Sequence, residues 1–188
     1  MQQNMSHCET IRGDVLTFWF EQLEPAQWWV RNDEIDATIV ARFASLHEQA
    51  RRCELYQWRA TAHGRLAEIL LLDQFSRNIF RDSPLAFAND ALALALAQEA
   101  IAQGADKALT PTQRVFLYLP FMHSESLQIH EVALALYQSL GLQDNLDFEI
   151  KHKAIIERFG RFPHRNVALG RASTEQELEF LKQPGSSF

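Results

Sequence analysis

Cysteine is almost absent from these 188 residues. Cys8 and Cys53 stand alone, with no CxxC pair and no disulfide spacing, which points to a reducing compartment and a fold held without staples. A long hydrophobic run is missing too. The longest, Val115 to Met122, is interrupted by Pro120 and falls far short of the roughly 20 residues that span a bilayer. The opening Met1 to Glu9 is polar and lacks the apolar centre of a signal peptide. No stretch alternates with period two for long enough to argue for a sheet. There is no HExxH or other metal-ligand spacing, and no nucleophile elbow, phosphate loop or dinucleotide fingerprint. Nor is there a broad excess of positive charge. The net charge is −6 and the pI near 5.6, which argues against a general nucleic-acid binder. We therefore expect a soluble, cytoplasmic protein with no cofactor and no metal, binding neither nucleic acid nor membrane.

What is present reads as helix. Thr110-Pro111-Thr112-Gln113 offers an N-cap, a proline at the first helical position and a glutamine able to close a capping box. Ser83-Pro84 repeats the cap and proline, and Ser173 with Gln176, or Thr174 with Glu177, supplies another box. Gly104, Gly141 and Gly160 each follow an apolar periodic stretch, where a left-handed residue ends a helix. Helices are predicted over about 10–23, 33–55, 61–78, 84–103, 111–123, 126–140, 145–159 and 174–182, with boundaries good to about 2–4 residues. Ile69 to Leu72 and Val115 to Leu119 are apolar all round, so their helices should be central. Those over 33–55 and 84–103 carry polar faces and should be peripheral. The length suits one domain, residues 1–188, burying roughly 70% of its unfolded surface, with frayed ends at about 1–9 and 183–188. Leu92-Ala93-Leu94 before Gly104 faintly echoes Leu134-Ala135-Leu136 before Gly141. Stacked antiparallel helix pairs and a compact helical bundle both accommodate that echo.

Four separated motifs carry a resemblance: Val15-Leu16-Thr17-Phe18-Trp19-Phe20, Leu70 to Asn78, Phe116 to Glu125, and Arg158 to Asn166. Together, and in order, they are similar to the uncharacterised bacterial proteins of the domain of unknown function 924 family, over about Asp14 to Leu181. The resemblance implies an all-α, tetratricopeptide-like fold and no established activity. Ser76 stands where the family pattern leads us to expect proline, and Asp82 where it leads us to expect glycine. With those residues the helix is able to continue past Phe75.

The cations are concentrated. Lys151 to Arg171 holds six Lys or Arg against one Glu, a balance of +5 in a chain at −6, so the remaining residues carry −11. Within it, residues 158–166 read Arg-Phe-Gly-Arg-Phe-Pro-His-Arg-Asn, and Phe75-Ser76-Arg77-Asn78 is a smaller copy. Arg161, His164 and Arg165 follow the glycine stop at once. They exceed what neutralising a helix C-terminus needs, and Pro163 stiffens their loop, so an anion site is favoured over capping alone. Asp73 and Arg77, four apart on the most apolar helix, read first as a buried pair pinning helices, with orientation of Arg77 toward a ligand as the alternative. His123 and Glu125 fit equally a proton-transfer pair or the polar end of a helix. His152 lies on a stripe with Phe148, Ile155 and Phe159 and is expected to be a satisfied core residue. The aromatics Phe18, Trp19, Phe20, Trp28 and Trp29 are expected to pack in the core.

The function read from the residues is a binding module whose pocket or groove holds a carboxylate, a phosphate or an acidic peptide end. Arg77, Asn78, His123, Arg161, His164, Arg165 and Asn166 are the expected ligand-binding residues. The alternative is a hydrolase- or transferase-like enzyme in which His123 or His164, with Glu125 as a further candidate, moves protons while arginines stabilise negative charge. A structural interaction scaffold is the third reading, and a homo-oligomer stays open. A carboxylate within hydrogen-bond reach of a cleft histidine would favour the enzyme.

Overall fold

The computed structural model describes residues 12–187, and among them there is no strand. In order come α1 (12–22), α2 (Asp33–Arg51), α3 (62–79), α4 (Asp90–Ala102), α5 (Pro111–Met122), α6 (Leu127–Leu140), α7 (Gln143–Phe159) and α8 (Glu175–Phe180). Short 3₁₀ turns at Pro25–Trp29, Tyr56–Ala60, Pro84–Phe87, Ala105–Ala108 and Pro163–Arg165 link them. The fold is all-α.

Capping chemistry sets the starts. Thr110 and Gln113 exchange side-chain-to-backbone hydrogen bonds at the head of α5, and Thr174 and Glu177 do the same for α8. Each exchange satisfies two backbone donors that the first turn leaves orphaned. Gly141 and Gly160, at φ 76° and 68°, close α6 and α7 in the left-handed conformation that side-chain-bearing residues resist.

The core forms where the sequence is apolar all round. Ile69, Leu70, Leu71 and Leu72 of α3 and Leu117 and Tyr118 of α5 are completely shielded from solvent. These two helices pack on each other, α2 and α4 lie against α3, and α6 and α7 pack successively beyond α5. Phe18 and Trp19 join this core through Phe75 and Phe116, whereas Trp29 stacks on Phe116 with more than half its surface exposed. A satellite cluster of Ile155, Ile156 and Phe162 sits under the segment that follows α7.

Three expectations are corrected. The helix predicted over 84–103 is two pieces, a 3₁₀ turn at Pro84–Phe87 and then α4. At the break the Asn89 side chain turns inward to Ser76 Oγ, 3.3 Å away. The second helix stops at Arg51, because Cys53 takes φ 58° and Leu55 is buried as the chain turns. Helix α3 is not uniform: Leu71–Phe75 is a π turn between α-helical Ala62–Leu70 and Ser76–Ile79. It does continue past Phe75. The Ser76 hydroxyl donates to the Leu72 carbonyl at 2.6 Å, and Asp82 adopts φ 57° where glycine was expected. Of the ends expected to fray, 1–9 and Phe188 lie outside the described residues. Near the other end, buried Ser186 donates to the Leu181 carbonyl.

By length and a mean hydropathy of 1.3, Pro84–Ala102 could cross a membrane. Here it is interrupted at Ala88 and Asn89, and its Asp90 is ion-paired to arginines from two other elements.

Candidate functional site

The π turn of α3 carries Asp73, whose side chain is almost fully buried. A buried carboxylate needs partners, and Asp73 has three. His123 Nδ1 lies 2.7 Å from Oδ1, Arg77 Nη1 lies 3.1 Å from the same oxygen, and Gln74 Nε2 donates to Oδ2 at 2.6 Å. Burial alone would raise the carboxyl, but the Arg77 charge and the His123 contact outweigh it and hold it below the usual carboxylate range. Asp73 is therefore ionised and can only accept. It follows that Nδ1 of His123 carries the hydrogen and Nε2 the lone pair. Burial, and then the Arg77 charge, keep His123 below the usual imidazole range, so the ring is neutral at pH 7. His123 reaches this position as the C-terminal cap of α5.

A second hub lies alongside. Asp90, at the start of α4, accepts both Arg77 terminal nitrogens at 3.1 Å and Arg165 Nη1 at 3.1 Å. Arg165 is buried between the rings of Phe87 and Phe162, with its guanidinium carbon 4.7 and 4.6 Å from their centroids. Cations are attracted to aromatic faces. Burial and the neighbouring Arg77 charge nevertheless lower Arg165 to about 10, which leaves it protonated at neutral pH. Among the described residues its buried Nε meets no acceptor.

The third pairing ties the loop to the helices. Arg171 clamps Glu125 through two bonds of 2.6 and 2.9 Å, and the Phe162 N–H donates to the same carboxylate at 2.8 Å. Burial would raise Glu125, but these donors win and depress it. Between the hubs lies a pocket of about 350 Å³. Asp90, His123, Glu125 and Arg165 line it together with Phe87, Leu94, Pro120 and Leu169.

A family model described as "Bacterial protein of unknown function (DUF924)" matches residues 15–185. The chain belongs to this family. Among solved structures it is similar to "Structure of Protein of Unknown Function ATU0120 from Agrobacterium tumefaciens". The two share 40% identity over 93% of this chain and 98% of that one, with a TM-score of 0.88. No curated protein matches.

This DUF924 chain brings some of the sequence-predicted residues together and sends others elsewhere. His123, Glu125 and Arg165 face the pocket, and Arg77 stands behind Asp90. Asn166 is fully buried, where it accepts from Arg171 Nε and donates to Ser173 Oγ, so it braces the Glu125 clamp. His164 lies against the Phe162 ring and is held down to about 4 by burial and the Arg165 charge. Two residues point away. Asn78 donates to Asp36 of α2 at 2.7 Å, beside Arg81 on the same carboxylate, and Arg161 makes bonds of 2.6 and 2.8 Å to Glu177 at the head of α8. In each case a helix needed a partner for a shielded carboxylate, and the nearest cation or amide was taken for that purpose. His152 is buried with Nδ1 donating to the Phe148 carbonyl, as a satisfied core residue should.

Asp90 was missed by sequence reasoning although it joins Arg77 to Arg165. One signal was available: it is the sole charged residue between Ser83 and Glu99, in a run of alanine and leucine. Phe87 and Arg171 were missed as well, and nothing in their spacing marks them. A buried His130–Glu149 pair, 2.8 Å apart, supports the site from below, with His130 Nε2 2.9 Å from the Ser124 carbonyl.

Proposed function

We propose that the pocket between α4, α5 and the segment after α7 takes a small anionic molecule, with Arg165 as its charge partner and His123 as the group that moves its proton. One observation carries the reading. In a single pocket, a histidine whose Nδ1 is engaged by an ionised, buried aspartate lies beside a buried arginine. The aspartate fixes the tautomer and orientation of the ring. The ring is neutral and so able to accept a proton, and the arginine supports negative charge developing on the substrate. This is the carboxylate–histidine arrangement that favours an acid–base enzyme. The reaction class supported is proton abstraction or general-base activation of water.

A second reading has a specific observation behind it. Asp90 and the two phenylalanine rings brace Arg165 whether or not chemistry occurs, and a pre-organised arginine is what a binding module for a carboxylate or phosphate needs. Two substitutions separate the readings. His123→Gln should leave anion binding within about threefold while abolishing turnover of any substrate found, and Arg165→Ala should weaken binding itself. Thermal melting with phosphates, nucleotides, organic acids and acidic peptides, against chloride at matched ionic strength, reads the binding. A ligand at a hundred times its Kd adds about 2.7 kcal/mol. If nothing in that panel shifts melting beyond chloride, the anion site is wrong. If ligands bind but His123→Gln leaves their turnover intact, the proton-transfer role is wrong.

A further inference from the structure

We propose that the anion is a small monocarboxylate with an apolar body, seated with its carboxylate on the Nε–Nη2 edge of Arg165. This rests on the pocket being an anion site and goes further by naming the chemical class. It does not depend on the proton-transfer role of His123.

The first argument compares arginines within the chain. Arg59, Arg81 and Arg161 each present Nε and Nη2 side by side to one carboxylate, that of Glu68, Asp36 and Glu177 respectively. The two parallel donors match the two oxygens, and this is the strongest geometry the pair can adopt. Arg77 and Arg171 grip one carboxylate through Nη1 and Nη2 instead, whereas Arg165 makes neither kind of paired contact. Its one side-chain acceptor among the described residues is Asp90, reached through Nη1, and the buried Nε is unmet. An unmet buried donor is costly and calls for an explanation. A ligand carboxylate that reaches Nε, by a small shift of the guanidinium between its two rings, supplies the missing acceptor in the way that the chain's own carboxylates do for the other three.

The second argument is charge. Two carboxylates, Asp90 and Glu125, share the pocket wall with Arg165. Both are already engaged, Asp90 by three guanidinium nitrogens and Glu125 by two guanidinium nitrogens and a backbone N–H. They leave a ligand ammonium poorly served, which disfavours amino acids. They also repel a multiply charged anion, which disfavours phosphate esters and tricarboxylates. A single negative charge is what the wall accommodates.

The third argument is the rest of the lining. Phe87, Ala88, Ala91, Leu94, Pro120 and Leu169 offer carbon to whatever the carboxylate carries. Each methylene buried there should strengthen binding about fourfold, equivalent to ~0.8 kcal/mol.

The test is calorimetric titration of the full chain with propionate, butyrate, hexanoate and octanoate at fixed ionic strength. Norleucine, inorganic phosphate and citrate serve as contrasts. Affinity should rise roughly two- to fourfold per methylene until the pocket is filled. Norleucine should bind at least tenfold more weakly than hexanoate, and phosphate and citrate no better than chloride. Arg165→Lys keeps the charge but loses the fork, and should cost hexanoate at least tenfold. Should that variant fold poorly, Ala91→Phe is the independent check. Ala91 lies on the solvent side of α4, so the added ring leaves the core alone, blocks the pocket, and should abolish chain-length dependence. Phosphate or citrate binding that is lost in Arg165→Lys, without carboxylate binding, overturns this inference and keeps the anion site. Affinity that ignores chain length, or survives both substitutions, overturns it too. Silence across the whole series overturns the anion site along with it.

Discussion

At the scale of single residues, Asp73 carries the most strain on a simple account of burial. It is shielded from solvent and still ionised, because Arg77, His123 and Gln74 surround it. Removing its charge leaves Asp90 as the acid opposite Arg77, beside the Asp73 carbonyl, and gives His123 Nδ1 a neutral amide in place of a carboxylate. Asp73→Asn should therefore cost about 3–5 kcal/mol of unfolding free energy, the usual penalty for breaking a buried ion pair from one side. Urea denaturation monitored by circular dichroism measures it. Arg161→Ala is the contrast. Its pair with Glu177 and its bond to the Ala172 carbonyl fasten only the C-terminal segment around α8, so a smaller loss is expected. A larger loss for Arg161→Ala than for Asp73→Asn would reverse our ranking of the two sites.

At the scale of elements, what the sequence made legible follows from what sets each feature. Caps and glycine stops are local, so the heads of α5 and α8 and the ends of α6 and α7 could be read from Thr110, Thr174, Gly141 and Gly160 alone. Apolar runs are local as well, and α3 and α5 are central as expected. The π turn at Leu71–Phe75 was not legible. It is a shift of hydrogen-bond register that no residue type demands, and it decides where Asp73 and Arg77 point. The break before α4 was hidden for a related reason, since Asn89 turns inward to Ser76 and His47 of other helices. For the site, the basic run after Gly160 drew attention to Arg165. Which polar side chains reach the pocket depended on Glu177 and Asp36, distant acids that had already engaged Arg161 and Asn78. One local feature of α3 has a sharp consequence. A Cβ built on Gly64 would stand 1.9 Å from the Trp58 carbonyl oxygen and 2.7 Å from its carbon, both backbone atoms. Gly64→Ala should thus force α3 away from the preceding 3₁₀ turn and cost about 3 kcal/mol or more. An alanine variant melting within a degree or two of the parent would show that this approach is loose.

At the scale of the whole molecule, four histidines make the fold sensitive to mild acid. Burial lowers all four, helped by Arg51 for His47, Arg77 for His123, His123 and other rings for His152, and Arg165 for His164. His152 falls to about 3 and His164 to about 4, against about 6.5 in an unfolded chain. Below pH 6.5 the unfolded state therefore takes up protons that the folded state refuses. Stability is fully present above 6.5 and is lost as pH falls toward the folded values. His152 and His164 together should give a slope of about 2–3 kcal/mol per pH unit near pH 5. The depressed carboxylates behave differently. Asp73, Glu125 and Glu177 add stability above the ordinary carboxylate value near 4 and lose it only below. The two families of groups overlap only below about pH 4.5, and a melting series at pH 7.5, 6.5, 5.5, 4.5 and 3.5 shows where the carboxylates join. The melting temperature should be level from 7.5 to 6.5, fall steadily from 6.5 to 4.5, and fall more steeply toward 3.5 as the carboxylates add to it. His152→Gln keeps a donor for the Phe148 carbonyl but cannot gain a proton, so it should flatten part of that fall, and the easing should persist at pH 3.5 because the folded ring charges only near 3. A level profile down to pH 4.5 in the parent would mean that these rings charge in place, and that the shell around Phe162 admits water.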